Sequence, residues 1–280
     1  MFTVLLSEGP HPVNLVGGKA AQLSDLLSER VDVPPGFVVT TDSHRAFLER
    51  QESDREELPA AVADAIEHRL SVFAADARFA VRSSAIFEDL ADASFAGQYE
   101  TFLDVPKDGV KDAVLRCWAS ARTSHARQYA RGRGLVLDQS LMGVLIQRLV
   151  PAEAAGVAFS IHPVTREDQV VVNAAYGLGE GVVSGLVTPD AFEIDKATGQ
   201  VLSRFLGFKE VMIRPRSQGG TETIDTPEEL AGRFCLSDQD VARISSLTVQ
   251  LERLKGVPVD IEWAIADGAL YCLQMRAITA

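Results

Sequence analysis

The 280-residue chain has no long apolar run, no excess of basic residues and only three cysteines, and each shortage removes a class of protein. Apolar stretches such as Val144 to Ile146 and Val170 to Val172 fall far short of the roughly 20 residues that a membrane helix needs. Met1-Phe2-Thr3-Val4 is not a basic segment leading into an apolar one, so no export signal is expected. With 27 Lys and Arg against 39 Asp and Glu, the formal charge of −12 repels polyphosphate backbones. No basic stripe offsets it locally, which argues against a nucleic-acid partner. Cys117, Cys235 and Cys272 are odd in number, widely spaced and without a Cys-x-x-Cys pair, which argues against a disulfide framework and a zinc site and fits a reducing cytoplasm. There is no internal repeat and no low-complexity linker.

What is present is a chain that is 46% apolar and 24% charged, enough to bury a core in one large domain or two coupled lobes. Ala20, Leu23, Leu26 and Leu27 after Gly17-Gly18-Lys19 have helical spacing, and Pro34-Pro35-Gly36 leads into a strand at Phe37 to Thr40. Residues 42 to 76 read as helical, with a solvated charge run at Glu49 to Glu57. β-type runs follow at Phe79 to Arg82, Val144 to Val150, Gly156 to Ile161 and Val170 to Ala174, with a helical pattern over 108 to 131. Ser237 with Asp240 forms a capping box for a helix over about 238 to 254. The chain closes on a hairpin, Val259 to Ile265 and Leu270 to Ile278 around Asp267-Gly268. Strands and helices are thus mixed, an α+β pattern.

An acidic protein that binds a polyanion must concentrate its cations at one place. Gly17-Gly18-Lys19 opens a helix but lacks the longer glycine frame of a Walker loop. In Ala80-Val81-Arg82-Ser83-Ser84 an arginine leaves a strand and small hydroxyl residues follow. A second small-residue loop around Ala96-Gly97 lets backbone N–H groups approach phosphate oxygens, and arginine adds a fork that matches phosphate geometry. An ordinary turn-rich surface accounts for the same composition equally well.

The hairpin carries four polar residues in otherwise apolar strands: Asp260, Glu262, Gln274 and Arg276. All are even-numbered and so share a face within each strand. A two-residue loop, Asp267-Gly268, sets Ala266 against Ala269 and points Glu262 away from Gln274. A three-residue loop sets Asp260 against Gln274 and makes all four converge, and it is preferred because isolated buried charges are costly. A carboxylate beside an amide oxygen suits Mg²⁺, and Arg276 then neutralises charge on a phosphoryl group in transfer. A structural Glu262–Arg276 salt bridge is the equal alternative on spacing alone.

These pieces occur in one order: Gly17-Gly18-Lys19-Ala20, Val81-Arg82-Ser83-Ser84-Ala85, Glu88-Asp89, Ser94-Phe95-Ala96-Gly97-Gln98, Gly177-Leu178-Gly179-Glu180, Val187-Thr188-Pro189-Asp190, and Asp260-Ile261-Glu262-Trp263-Ala264 with Leu273-Gln274-Met275-Arg276. Together they resemble the ATP-grasp domain of the phosphoenolpyruvate synthase, pyruvate phosphate dikinase and rifampin phosphotransferase group, over nearly the whole chain. The resemblance implies an α+β ATP-grasp fold of mainly antiparallel sheets with the nucleotide between two lobes: residues 1–148 with the phosphate loop, and residues 149–280 with the metal-binding hairpin. It implies ATP and Mg²⁺ as ligands. Lys19, Arg82 and Ser83 are expected to contact phosphate, under a loop that includes Gly97, Gln98 and Thr101. Gln147 and Leu149 are expected to border adenine through a backbone hinge. Glu262 and Gln274 match the metal pair, and Arg276, with Arg82 and Lys19, the catalytic set.

The implied activity is ATP-dependent phosphoryl transfer, either to a histidine on a partner domain or subunit or to a small acceptor. An ATP-grasp ligase that forms an acyl phosphate is the alternative. His162 stands where relatives commonly carry Asn or Asp, and reads as structural. Thr123-Ser124-His125-Ala126 has a superficial likeness to the group's phospho-histidine motif. It sits within a helical stretch and lacks the aliphatic run and Gly-Ile-Pro ending expected after it, so His125 is not the expected carrier.

Overall fold

The computed structural model describes residues 1–50, 57–86, 89–90, 93–94, 100–120 and 141–278. The chain opens with β1 (Thr3–Leu5), α1 (Val13–Val16), α2 (Gly18–Ser28), β2 (Gly36–Val39), α3 (Thr41–Leu48) and α4 (Ala60–Leu70). There follow β3 (Arg78–Ala85), β4 (Asp89–Leu90), β5 (Ala93–Ser94), β6 (Thr101–Pro106), α5 (Val110–Ser120), β7 (Met142–Arg148), β8 (Ala154–Phe159) and β9 (Gln169–Tyr176). The remainder is α6 (Glu180–Val183), β10 (Asp190–Asp195), β11 (Val201–Phe205), β12 (Val211–Pro215), β13 (Thr221–Asp225), α7 (Glu228–Ala231), α8 (Asp238–Lys255), β14 (Val259–Ala266) and β15 (Ala269–Ala277).

These elements form two compact units, Met1–Leu149 with Ser217–Gly220, and Val150–Arg216 with Thr221–Ala280. The helical stretch expected over 42 to 76 is two described helices, α3 and α4. Pro59, which has no amide hydrogen to donate, stands at the N-cap of α4.

The first unit is built on an antiparallel sheet in the order β1-β2-β7-β3-β6. Its strands are buried on both faces, which is why they read as unbroken apolar runs. On one face Phe37, Phe79, Val81, Val144 and Ile146 pack against Phe47, Ile66, Val114 and Trp118 from α3, α4 and α5. His44 is buried there, accepting a hydrogen bond from Met142 N at 3.0 Å through Nδ1 and stacking on Trp118. The other face receives α1 and α2, and here backbone comes so close that side chains do not fit. A Cβ on Gly143 would lie 2.5 Å from Val16 O, and one on Gly17 only 1.8 Å from Ser84 O.

The second unit is a six-stranded antiparallel sheet, β11-β10-β9-β8-β14-β15. Helix α8 begins at the expected capping box, with Ser237 and Asp240 each holding the other's backbone N–H, and ends on a left-handed Gly256. It covers one face, burying Val259, Ile261 and Trp263 under Ile244, Thr248 and Leu251. The opposite face stays partly open, and it bears the hairpin's polar residues.

Candidate functional site

In the first unit, alternation along β3 sorts the motif residues. Phe79, Val81 and Ala85 belong to the core, and Ser83 lies opposite Val144, itself a core residue. The Ser83 hydroxyl is thus on the core face, buried and without a hydrogen-bond partner among the described residues. Ser83 reaches the other side only through its carbonyl, which accepts from Lys19 Nζ at 3.1 Å. Arg82 and Ser84 point the opposite way. Ser84 Oγ accepts from Ala20 N at 3.0 Å, fixing the start of α2, and Gly17, with φ of 81°, lets that turn sit against the strand. Lys19 and Arg82 are therefore placed by adjacent segments that touch. Both are largely buried cations, and Arg82 lies opposite Thr101 on β6.

Gln147 shares the Arg82 face, opposite Ala80, yet its carboxamide donates to Pro34 O at 3.1 Å and so anchors the turn before β2. Leu149 N donates to Arg78 O at 2.8 Å. Any role of this segment in reading a base thus falls to other backbone groups. Gly97, Gln98 and Glu88, and His125 with the segment around it, lie outside the described residues.

In the second unit the loop prediction fails while the convergence it was meant to explain is present. Asp267 and Gly268 have φ of 49° and 72°, the signature of a two-residue type I′ turn, and Ala266 pairs with Ala269. Farther along, the register shifts between Glu262 and Trp263, because β15 carries one surplus residue, Leu273, between the partners Cys272 and Gln274. That bulge sets Glu262 opposite Gln274 and Asp260 opposite Arg276, a register that differs from the expected Asp260–Gln274 pairing. All four side chains then share the partly open face.

Arg276 Nε donates to Asp260 Oδ1 at 3.1 Å, which aims the guanidinium along the strand pair. Burial pushes the Asp260 carboxyl above its ordinary range, the Arg276 charge and hydrogen bond oppose this, and the nearby Glu262 charge adds to it. Asp260 is thus a member of the site that sequence reasoning placed in the hairpin without giving it a role. Its spacing to Arg276 was the available signal.

Two further motifs serve the framework. Gly177, with φ of 78°, and Gly179 let the start of α6 lie flat on the sheet: a Cβ on Gly177 would meet Ile213 O at 2.3 Å, and one on Gly179 would touch Ala155. Asp190 is fully buried on the α8 face. Its Oδ1 accepts from Lys209 Nζ at 2.5 Å and Gly207 N at 2.9 Å, and its Oδ2 from Cys235 N at 2.8 Å. Burial, with the Asp190 charge beside it, pushes the Cys235 thiol well above its ordinary range, toward the neutral form. His162 closes a turn as an Asn or Asp side chain can: Nδ1 accepts from Val164 N and Thr165 N at 3.2 and 3.0 Å.

A carboxylate and an amide oxygen side by side are hard donors that suit Mg²⁺. No cluster of three or more His, Cys, Asp or Glu suited to a metal occurs among the described residues. An ion held here would therefore complete its shell with phosphate oxygens and water, as Mg²⁺ commonly does. No described helix is long and apolar enough to cross a membrane.

Comparison with known proteins agrees with these motifs. The family model described as the AMP/ATP-binding domain of pyruvate phosphate dikinase matches residues 13–56 and 51–280. The uncharacterized phosphotransferase YvkC of Bacillus subtilis is 36% identical over 293 residues, spanning 100% of this chain and 35% of that protein. A probable phosphoenolpyruvate synthase of Methanothermobacter thermautotrophicus is also 36% identical, over 97% of this chain and 45% of its own length. The rifampicin phosphotransferase of Bacillus subtilis is 34% identical, over 95% and 34% respectively. This chain thus spans between a third and a half of these relatives. Its α+β architecture of mainly antiparallel sheets agrees with the ATP-grasp fold expected from the motifs. The chain belongs to the family of pyruvate phosphate dikinase AMP/ATP-binding domains.

Proposed function

We propose that the chain carries out the ATP-using half of a phosphoryl-transfer reaction, whose acceptor is a histidine on a partner domain or subunit or a small molecule. The observation that carries this reading is the hairpin, where a bulge brings two carboxylates, an amide and a guanidinium to one open face. A binding module with no turnover has no need of an arginine aimed by its own carboxylate.

Lys19 and Arg82 are the groups that hold phosphate oxygens, Lys19 as a point charge and Arg82 as a fork. Thr101, which pairs with Arg82 across the strands, would add a hydroxyl. Glu262 and Gln274 are the residues that would hold Mg²⁺, which when bound neutralises phosphate charge. Arg276, positioned by Asp260, stabilises the charge that spreads over the phosphoryl oxygens as the bond to the leaving phosphate breaks and the bond to the acceptor forms.

Arg276→Ala tests the assignment. The loss of one preorganised charge stabiliser is expected to lower turnover by about 10²–10³ while ATP affinity stays within a few-fold. Full turnover with normal ATP binding would remove Arg276 from the mechanism. In the same assay, ADP release that requires both a carboxylate and an amine would replace phosphotransfer with the ligase reading.

A further inference from the structure

Large apolar side chains that face solvent are spread thinly over the described residues, with one concentration. Leu202, Phe205, Leu206 and Phe208 are 50%, 54%, 42% and 70% exposed, on β11 or just beyond it. β11 is the last strand of the second sheet and pairs only with β10. Nor is Phe208 on a loose loop. Gly207 N donates to Asp190 Oδ1, and the Lys209 ammonium is fully buried against the same carboxylate, so the chain is pinned on both sides of the ring. An apolar patch presented in this way marks an interaction surface, and its rigidity lowers the cost of burying it against a partner.

The edge is also poorly defended. Natural edge strands are blunted by charges, prolines and bulges. From Ala197 to Phe208 there is no Pro, Asp or Glu, and the one charge is Arg204. A bulge at Leu202, surplus between Val201 and Ser203, leaves Ser203 to Phe205 in regular pairing. Arg204 lies opposite Phe192 and reaches the α8 face, where its Nη1 meets Oδ1 of Asp238, the first residue of that helix, at 3.0 Å. Ser203 and Phe205, opposite Glu193 and Ala191, take the other face.

We propose that β11 pairs antiparallel with β11 of a second copy of this chain, joining two six-stranded sheets into one across a two-fold axis. Such an axis stands perpendicular to the sheet, keeps both α8 faces on one side and requires opposed residues to share a face. The register that overlaps the whole exposed stretch from Leu202 to Leu206 sets Arg204 opposite Arg204, Phe205 opposite Ser203 and Leu206 opposite Leu202. The two Phe205 rings are then diagonal neighbours, within reach of each other. Opposed arginines repel when alone, but each brings its Asp238, and two cations with two carboxylates close a ring of alternating charge. The edge thus complements itself in apolar contact and in charge, which selects a second copy over an unrelated partner. A strand pair of this length makes a small interface, so the dimer is expected to form reversibly.

Sedimentation velocity of the full chain from about 1 to 100 μM, the range of weak association, tests this. The parent is expected to shift from monomer toward dimer as concentration rises. Phe205→Lys, a charge of the kind that blunts natural edges, is expected to raise the dissociation constant about tenfold or more. Val164→Lys, at a more exposed position on another loop, is expected to leave it unchanged. Asp238→Asn is expected to weaken the dimer, most at low salt, because the opposed arginines lose their counter-charges. With glutathione disulfide as oxidant, Arg204→Cys is expected to link the two copies through the axis and Val164→Cys is not. A parent that stays monomeric throughout, or a dimer that Phe205→Lys leaves intact and Arg204→Cys does not link, would overturn the proposal.

Discussion

Asp260 is the residue on which the electrostatics of the site turn. Burial pushes its carboxyl toward the neutral form, Arg276 pulls it toward the charged one, and burial prevails. A carboxyl whose pKa is raised on folding contributes stability that is complete below the unfolded value and is lost as pH rises through the folded one. Asp260→Asn is therefore expected to melt above the parent near pH 7, with the difference vanishing below about pH 4. It is also expected to turn over ATP more slowly, because Arg276 loses the acceptor that aims it. Thermal unfolding at both pH values beside steady-state rates checks the two halves. A variant less stable than the parent at pH 7 would mean that the ion pair outweighs burial. The contrast with Asp190 is instructive: that carboxylate, fully buried, is matched by Lys209 and two backbone N–H groups, and it holds structure.

Among the elements, the β14–β15 hairpin shows how much was legible beforehand. Asp267-Gly268 is a strong two-residue turn signal, and the turn is there. The three-residue loop was preferred only to make the polar residues converge, since the alternating pattern of a regular hairpin forbids that. A bulge restores convergence by another route, and its surplus Leu273 leaves no mark that distinguishes it from an ordinary strand residue. The same parity argument explains Ser83, which sits inside a phosphate-binding motif yet directs its hydroxyl to the core. The Asp190 cluster was hidden because its partners lie 17 to 45 residues away along the chain. Motif order and the Ser237 capping box, being local, were readable. Deleting Leu273 is expected to make the hairpin regular while leaving Gln274 opposite Glu262, so nucleotide affinity should stay within a few-fold. Deleting Met275 should send Arg276 to the α8 face and abolish turnover. Equal damage from both deletions, judged by calorimetry and rate, would show that the shape of the bulge matters beyond the pairing it permits.

At the scale of the whole molecule, the chain spans between a third and a half of the relatives compared, and the proposed acceptor is a histidine of a partner or a small molecule. Of its five histidines, His11, His44 and His162 are hydrogen-bonded to backbone groups, His68 is exposed on α4, and His125 lies outside the described residues. With ATP labelled in its transferable phosphate, the chain alone is expected to retain no acid-labile label. Adding the remainder of a relative that lacks its own ATP-binding region is expected to move label onto a histidine of that protein. Stable label on this chain alone would place the acceptor within it. The Gly17 turn also bears on what a triphosphate meets on arrival. Lys19 is tied to the carbonyl of Ser83, one peptide from Arg82, and the turn before it lies flush on the same strand. The two cations therefore cannot drift apart or be gathered separately around an incoming anion. Their spacing is held by the fold itself, so under the proposed reaction this part of the site would be in place before a nucleotide arrives and would ask for little reorganisation when charge begins to move.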